Sequence, residues 1–407
     1  MAKPLLVYLH VPFCTSKCSF CDWVQEIPGS ELRLQSGTPR RTQYIEALCR
    51  QIDDLLPRLG DQGYEPEIMY WGGGTASILS LTEIQRLSET LSRHCDLSQF
   101  RETTIETSPE TLSPEKLKAF LDFGFRRISI GVQALDDERL RVIGRMHRSQ
   151  EAIASVYMAR EAGFDDLNID IISGFPGESL SEFEASMERV VALPVTHVSL
   201  YSYRPAVGTA MFKQLRRGSA GKTQLEEQLQ AYERGAALLE RMGLPEYAMS
   251  HFGKLRCHSD LAYFQLQMDW VGLGSGATSL LGGRFLTNRR GQLDAYNQNP
   301  TQYDEDIPAA SPHVASRMLY QALTTYEGLD FSYWRERMGA DFSESRQHAS
   351  VTYLLDYLQR VGGLEEDSQS LRLPRAKIAS AFIHLLNANA PVNARDRVGI
   401  NAVVGGY

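Results

Sequence analysis

The stretch LLVYLHVPFCTSKCSFCDW (5–23) decides the reading of this chain. Its first half, Leu5 to His10, is a run of aliphatic and aromatic residues of the kind that forms a buried β-strand. Its second half spaces Cys14, Cys18 and Cys21 with three and then two residues between them. Thiols packed directly after a strand put a metal-binding loop at that strand's carboxyl end. Thiolates are the usual ligands of iron–sulfur clusters, and a closed cubane takes four, so three from one loop leave one iron open to reaction. A zinc knuckle completed by His10 or Cys49 is the alternative, although zinc sites draw on a second pair of cysteines. Cys49, Cys95 and Cys257 stand singly in the sequence, as core cysteines do.

Working outward, the strand is the first of six: LLVYLH (5–10), EIMYW (67–71), TTIETS (103–108), RISIGV (127–132), LNIDII (167–172) and HVSLYSY (197–203). Helical patterns separate them. Ser80-Leu-Thr-Glu83 has the form of a capping box, and Ser113-Pro114 sets a cap before a proline at the first helical position. Residues 40–57 repeat Tyr44, Ile45, Leu48, Ile52 and Leu55 along one helical face. Helical crossovers make neighbouring strands parallel, which predicts an α/β fold. Six units fall short of a closed eightfold barrel, so an open three-quarter (β/α)6 barrel is expected, with a doubly wound sheet as the rival. Both architectures bind ligands at the carboxyl ends of their strands.

After Pro205 the pattern changes to a helix near 222–243, a glycine-dense stretch WVGLGSGATSLLGG (270–283), and helices from about Pro312 to Leu386. GLGSG (272–276) lacks the helix context and the acidic residue of a dinucleotide fingerprint. The expected organisation is a partial barrel over 1–215, an extension over 216–305 that the family resemblance described below implies closes the barrel mouth, and a C-terminal α-rich domain over 306–407. A loosely held tail is expected from Asn387. With 407 residues, 43% of them hydrophobic, and a net charge of −8, the chain reads as globular and mildly acidic. That balance argues against nucleic acid or an anionic membrane as the main partner. The first residues lack a signal-peptide layout and no window reaches 18 apolar residues, so a cytoplasmic location is expected.

Polar residues end the other strands. The second runs into Tyr70-Trp71-Gly72-Gly73-Gly74-Thr75, where glycines permit close backbone approach. Glu106, Gln133 and Asp170 end the third, fourth and fifth, and Arg145 follows Gln133 by twelve positions. All converge on the rim that carries the cysteine loop.

HVPFCTSKCSFCDW resembles the CxxxCxxC loop of the radical S-adenosylmethionine (SAM) superfamily, and its flanks resemble the HemN-like branch, from Tyr8 to the C-terminal helices. The resemblance implies a [4Fe–4S] cluster on Cys14, Cys18 and Cys21, with SAM on its open iron. One electron then cleaves the SAM to methionine and a 5′-deoxyadenosyl radical. It further implies SAM contacts from Tyr8, Phe20, Gly73, Gly74, Thr75, Glu106, Gln133, Arg145 and Asp170, a contact to a second SAM from Thr278, a small-molecule substrate, and an electron donor such as flavodoxin or ferredoxin.

The branch holds coproporphyrinogen III dehydrogenases, haem chaperones and class C methyltransferases. The dehydrogenases have a fourth cysteine where Trp23 stands. The chaperones carry a His-Asn-x-x-Tyr-Trp run, against Cys257-His258-Ser259-Asp260-Leu261-Ala262-Tyr263-Phe264 here, in which His258 is the candidate haem ligand. Cys21-Asp22-Trp23-Val24-Gln25 looks like the methyltransferases and cyclopropane-forming enzymes. The expectation is therefore one-carbon transfer from a second SAM to an sp2 carbon of an aromatic or heteroaromatic natural product. Trp23 and Gln25 would face it, and Tyr201, Tyr203, Arg204 and His251 are further pocket candidates.

Overall fold

The structure is a computed structural model, and it describes residues 2–22, 39–218, 224–291 and 293–388. Six strands and their crossover helices come first: β1 (Lys3–Val11), α1 (Pro39–Asp61), β2 (Tyr64–Gly73), α2 (Leu81–Ser92), β3 (Glu102–Thr107), α3 (Pro114–Asp122), β4 (Arg127–Gln133), α4 (Asp137–Ile143), α5 (Ser149–Ala162), β5 (Asp166–Ser173), α6 (Leu180–Val191) and β6 (His197–Ser202). The expected caps are present. Ser80 and Glu83 exchange bonds at the start of α2, and the Ser113 side chain accepts from the Lys116 amide at the start of α3. Helix α1 buries Tyr44, Ile45, Leu48 and Ile52; at its far end Leu56, not Leu55, completes the face.

β1 to β6 are adjacent in chain order and parallel throughout. That order excludes a doubly wound sheet, whose order reverses at a switch point. It is the open α/β barrel expected. Its strands are largely buried on both faces, β4 almost completely, because helices cover the outside and the strands curl around the inside.

The chain continues through α7 (Ala210–Arg217), α8 (Leu225–Arg241), β7 (Glu246–Ala248), β8 (His251–Gly253), α9 (His258–Phe264), β9 (Asp269–Leu273), β10 (Thr278–Leu281), β11 (Arg284–Asn288), α10 (Leu293–Gln298) and β12 (Tyr303–Pro308). All six of these strands extend the barrel sheet itself. β9 lies parallel beside β1 and leads to β10, β11 and β12, while β8 and β7 run antiparallel beyond β6. Helix α9 closes the amino end of the barrel: the His258 and Ser259 amides donate to Glu102, the first residue of β3, at 2.6 and 3.2 Å. The cysteine loop lies at the opposite, carboxyl end.

The last segment is α-rich: α11 (Pro312–Ala322), β13 (Leu329–Asp330), α12 (Phe331–Met338), α13 (Phe342–Ser345), α14 (Ala349–Val361), β14 (Glu365–Glu366), β15 (Ser370–Arg372) and α15 (Arg375–Ala388). Its three strands form a small separate sheet. Asn387, the first residue of the expected tail, is tied to Gln228 at 2.8 Å; residues 389–407 lie outside the described ones. Among the described residues no helix is long and apolar enough to cross a membrane.

Candidate active site at the carboxyl rim of the barrel

The cysteine loop is clamped on both sides by backbone bonds. On one side the end of β2 straps it, with the Gly74 amide donating to Val11 O and the Thr75 amide to Phe13 O, both at 2.8 Å. A Cβ on Gly74 would lie 2.5 Å from Phe13 O, and Gly73 adopts φ +115° with its Cβ position 2.6 Å from the His10 ring. With no side chain at either position, β2 seats closely against the loop. On the other side, Ser19 donates to Ile143 O and accepts from the Met211 amide, each at 2.8 Å. Phe20 packs on Phe175, with ring centroids 5.6 Å apart, in an apolar cluster with Ile143 and Met211.

Cys14 and Cys18 are buried and Cys21 is half-buried. Thr75 Oγ1 lies 3.5 Å from Cys14 Sγ, and Arg145 Nη1 lies 3.5 Å from Cys18 Sγ. The guanidinium is fixed by Nη2 donating to Ser108 Oγ at 2.7 Å and to Gly131 O at 2.5 Å, while its Nε is buried without a partner among the described residues. The other cysteines are elsewhere: Cys49 under Thr90 on the outer helices, Cys95 on the Leu91 carbonyl, Cys257 at the barrel floor beside Glu102 and Ser259. Among the described residues no three His, Cys, Asp or Glu side chains converge on a single-ion site. In a cubane each thiolate binds a different iron, and the three thiols, the adjacent arginine and the lack of a fourth cysteine fit a cluster with one open corner.

Inside the barrel, Tyr8, Tyr70, Glu106, Gln133 and Asp170 remain partly exposed although strands surround them, which marks an open chamber below the loop. Tyr8 stacks on Tyr70 at 6.1 Å, and its Oη lies 2.9 Å from His10 Nδ1. Burial lowers His10 to about 4, so the ring is neutral. Glu106 accepts from Tyr70 Oη at 2.6 Å and from the Gly73 amide at 3.0 Å. Burial, with Asp170 nearby, pushes Glu106 up to about 7. Asp170 is raised to about 6, chiefly by burial, while Asn168 donates to it at 2.9 Å. Gln133 sits at a register shift with φ 72°, an uncommon conformation for a non-glycine residue and one that clusters at functional sites. Thr278 opens β10 just past the carboxyl end of β9, on the same rim.

Other expectations fare differently. Trp23 and Gln25 lie outside the described residues. Arg204 pairs with Asp22 at 3.4 Å beside the loop, and Tyr203 Oη is buried without a partner among the described residues. His258 stands at the floor, on the opposite end from the cysteine loop. The sequence did not single out Asp260, whose charge opposes the effect of burial on His251 and also bears on Tyr70, Glu106 and Asp170. Its carboxylate lies 3.4 Å from His251 Nδ1, a buried nitrogen with no hydrogen bond among the described residues. The only signal was an acid one turn into a short helix, inside a stretch read for haem ligands.

A partial barrel with a three-cysteine loop and a polar chamber defines a radical SAM protein, and the family model described as "Radical SAM superfamily" matches residues 8–190. The chain is 31% identical to the heme chaperone HemW of Lactococcus lactis, over 70% of this chain and 71% of that protein. It is 30% identical to the heme chaperone HemW of Bacillus subtilis, over 69% and 72%. Coproporphyrinogen III oxidase (HemN) of Escherichia coli superposes with a TM-score of 0.73 over 96% of this chain and 91% of that one; at 22% identity this speaks for the fold. The chain belongs to the HemN/HemW-like radical SAM family. Membership implies a [4Fe–4S] cluster, SAM, a small-molecule substrate and an electron donor. The methyltransferase branch read from Asp22-Trp23-Val24-Gln25 is not supported, since these relatives are named heme chaperones.

Proposed function

We propose that this chain cleaves SAM reductively at a cluster held by Cys14, Cys18 and Cys21, and that it serves haem or its porphyrinogen precursors, as the relatives' names suggest. The observation that carries the first part is the loop itself: three thiols, Arg145 against Cys18 Sγ, and no fourth cysteine in reach. When bound, cluster and SAM together supply the one-electron cleavage that yields methionine and a 5′-deoxyadenosyl radical. The chain's own residues do the holding. Arg145 offers positive charge beside the thiolates and the SAM carboxylate. Glu106 and Tyr70 present a hydrogen-bonded pair to the amino or ribose groups, with Asp170, Gln133 and Thr75 around them, and Phe20 offers a ring beside adenine. The barrel walls keep water from the radical.

The second part rests on similarity to heme chaperones over more than two thirds of each chain. In this reading His258 is the haem ligand. Burial lowers its pKa, which favours the neutral imidazole that iron requires.

The test is anaerobic reconstitution followed by reduction with SAM. Four irons per chain and 5′-deoxyadenosine absent from a Cys18→Ala control are expected. Haem titration should give a Soret band that His258→Ala shifts or abolishes. Loss of carboxyl groups from coproporphyrinogen III would move the assignment to the dehydrogenases. Deuterium passing from methyl-labelled SAM into deoxyadenosine would sink the haem reading and revive one-carbon transfer.

A further inference from the structure

Two short helices roof the cysteine loop. Gly144, which ends α4 with φ +80°, has its Cβ position 3.4 Å from Lys17 O and 3.7 Å from Cys18 Cα. The amide of Met211, in the first turn of α7, bonds Ser19 O. The outer surface of these two helices is therefore separated from the thiols by a single layer of chain.

Acids are confined to the start of α4, at Asp136, Asp137 and Glu138, and the rest of that surface is basic around an apolar centre. Val142 is 41% exposed and Met146 52%. Around them Lys17, Lys213, Arg216 and Arg217 are exposed, and none has an ion-pair partner among the described residues. Helix α7 carries three of these cations and no acid. Its eight residues span only about 12 Å, so all three lie close to the loop. Arg141 is by contrast spent on Glu138. In a chain whose net charge is −8, four unpaired cations beside one loop are a local reversal of sign. An apolar centre with a charged rim is the usual anatomy of a protein interface, and unpaired surface cations steer an oppositely charged partner.

We propose that this face docks an acidic one-electron carrier protein of the flavodoxin or ferredoxin kind. The step it serves is an outer-sphere transfer: the carrier is oxidised by one electron, the cluster is reduced by one, and no bond forms or breaks. The site rests on the cluster assignment above and adds to it a location and a partner charge.

The experiment uses the full chain, with and without its reconstituted cluster, and purified flavodoxin as the probe. In Lys213→Glu/Arg216→Glu/Arg217→Glu, deoxyadenosine formation driven by reduced flavodoxin should fall about tenfold or more at low salt, while formation driven by dithionite stays at the wild-type rate. Flavodoxin binding by the cluster-free chain should weaken about as much, and wild-type binding should weaken steeply as salt is raised through the physiological range. The milder Arg216→Gln/Arg217→Gln change should show the same split between the two reductants, to a smaller degree. Equal loss with both reductants in both variants, or unchanged flavodoxin affinity, overturns the proposal. So does tighter binding to an oligonucleotide or to anionic lipid vesicles than to flavodoxin. If dithionite and SAM give no deoxyadenosine even from the wild type, the cluster assignment fails instead, and flavodoxin binding still judges the docking face.

Discussion

Replacing Glu106 by Gln should remove a pH-dependent strain from the chamber. The carboxyl is raised from the ordinary 4.5 to about 7, first by burial and then by its neighbour Asp170. Between those values the folded chain keeps a proton that the unfolded chain has released. The unfolded state thus binds fewer protons, and stability falls as pH rises. The shift is about 7 − 4.5 = 2.5 units, and at 1.36 kcal/mol per unit the wild type loses about 3.4 kcal/mol between pH 4.5 and pH 8 through this group. The Gln side chain cannot ionise, and like the protonated carboxyl it sets one accepting oxygen and one donor between the Gly73 amide and Tyr70. Its NH2 can donate to the Tyr70 hydroxyl, so the exchange costs about 1 kcal/mol or less. The variant should therefore match wild type within about 1 kcal/mol at pH 5 and be stronger than wild type at pH 8. Urea unfolding of the cluster-free proteins at both pH values measures this. Parallel pH profiles for the two proteins would refute the reasoning, because they would mean that Glu106 titrates as a solvated carboxylate.

Arg145→Lys keeps the charge but not the fork that reaches Ser108, Gly131 and Cys18 together; iron content after reconstitution should fall below four per chain, with a full complement counting against the role given to the fork. Gly74→Ala forces its Cβ against Phe13 O and should cost about 1–3 kcal/mol together with iron retention. Gly60→Ala, inside α1 with nothing within 4 Å, should instead stabilise by about 0.5–1 kcal/mol; thermal melts that rank the two the other way would contradict the packing account. Asp260→Asn removes the charge that opposes the burial-lowered pKa of His251, so the imidazole should titrate lower still, as read by NMR of that ring, and an unmoved pKa would break the pairing.

The parallel barrel was legible because short β-branched and aromatic runs alternate with helical patterns, two of which open on start signals, at Ser80 and Ser113. The cysteine loop was legible for a different reason, since ligand chemistry depends on residue type and spacing. What escaped was set by contacts far apart in sequence. Asp260 and His251 meet only because α9 folds into the barrel and β8 joins its edge, and neither element is long enough to show a period. The glycines after Trp71 were legible as glycines, but the crowding around them was not. His10 and Phe13 crowd them, and no sequence pattern gives that distance. The branch reading rested on four residues after Cys21, three of which lie outside the described residues, and the relatives' names do not support it.

The position of β1 bears on how the molecule is made. Leu5 pairs with Asp269, a separation of 269 − 5 = 264 residues, so the strand that carries the cysteine loop waits for one neighbour until two thirds of the chain has left the ribosome. Until then β1 presents a bare edge beside reactive thiols, open to pairing with another chain. A nascent chain arrested before β9 should therefore aggregate, and the order of synthesis sets a window in which a chaperone or an early-arriving cluster has most to protect.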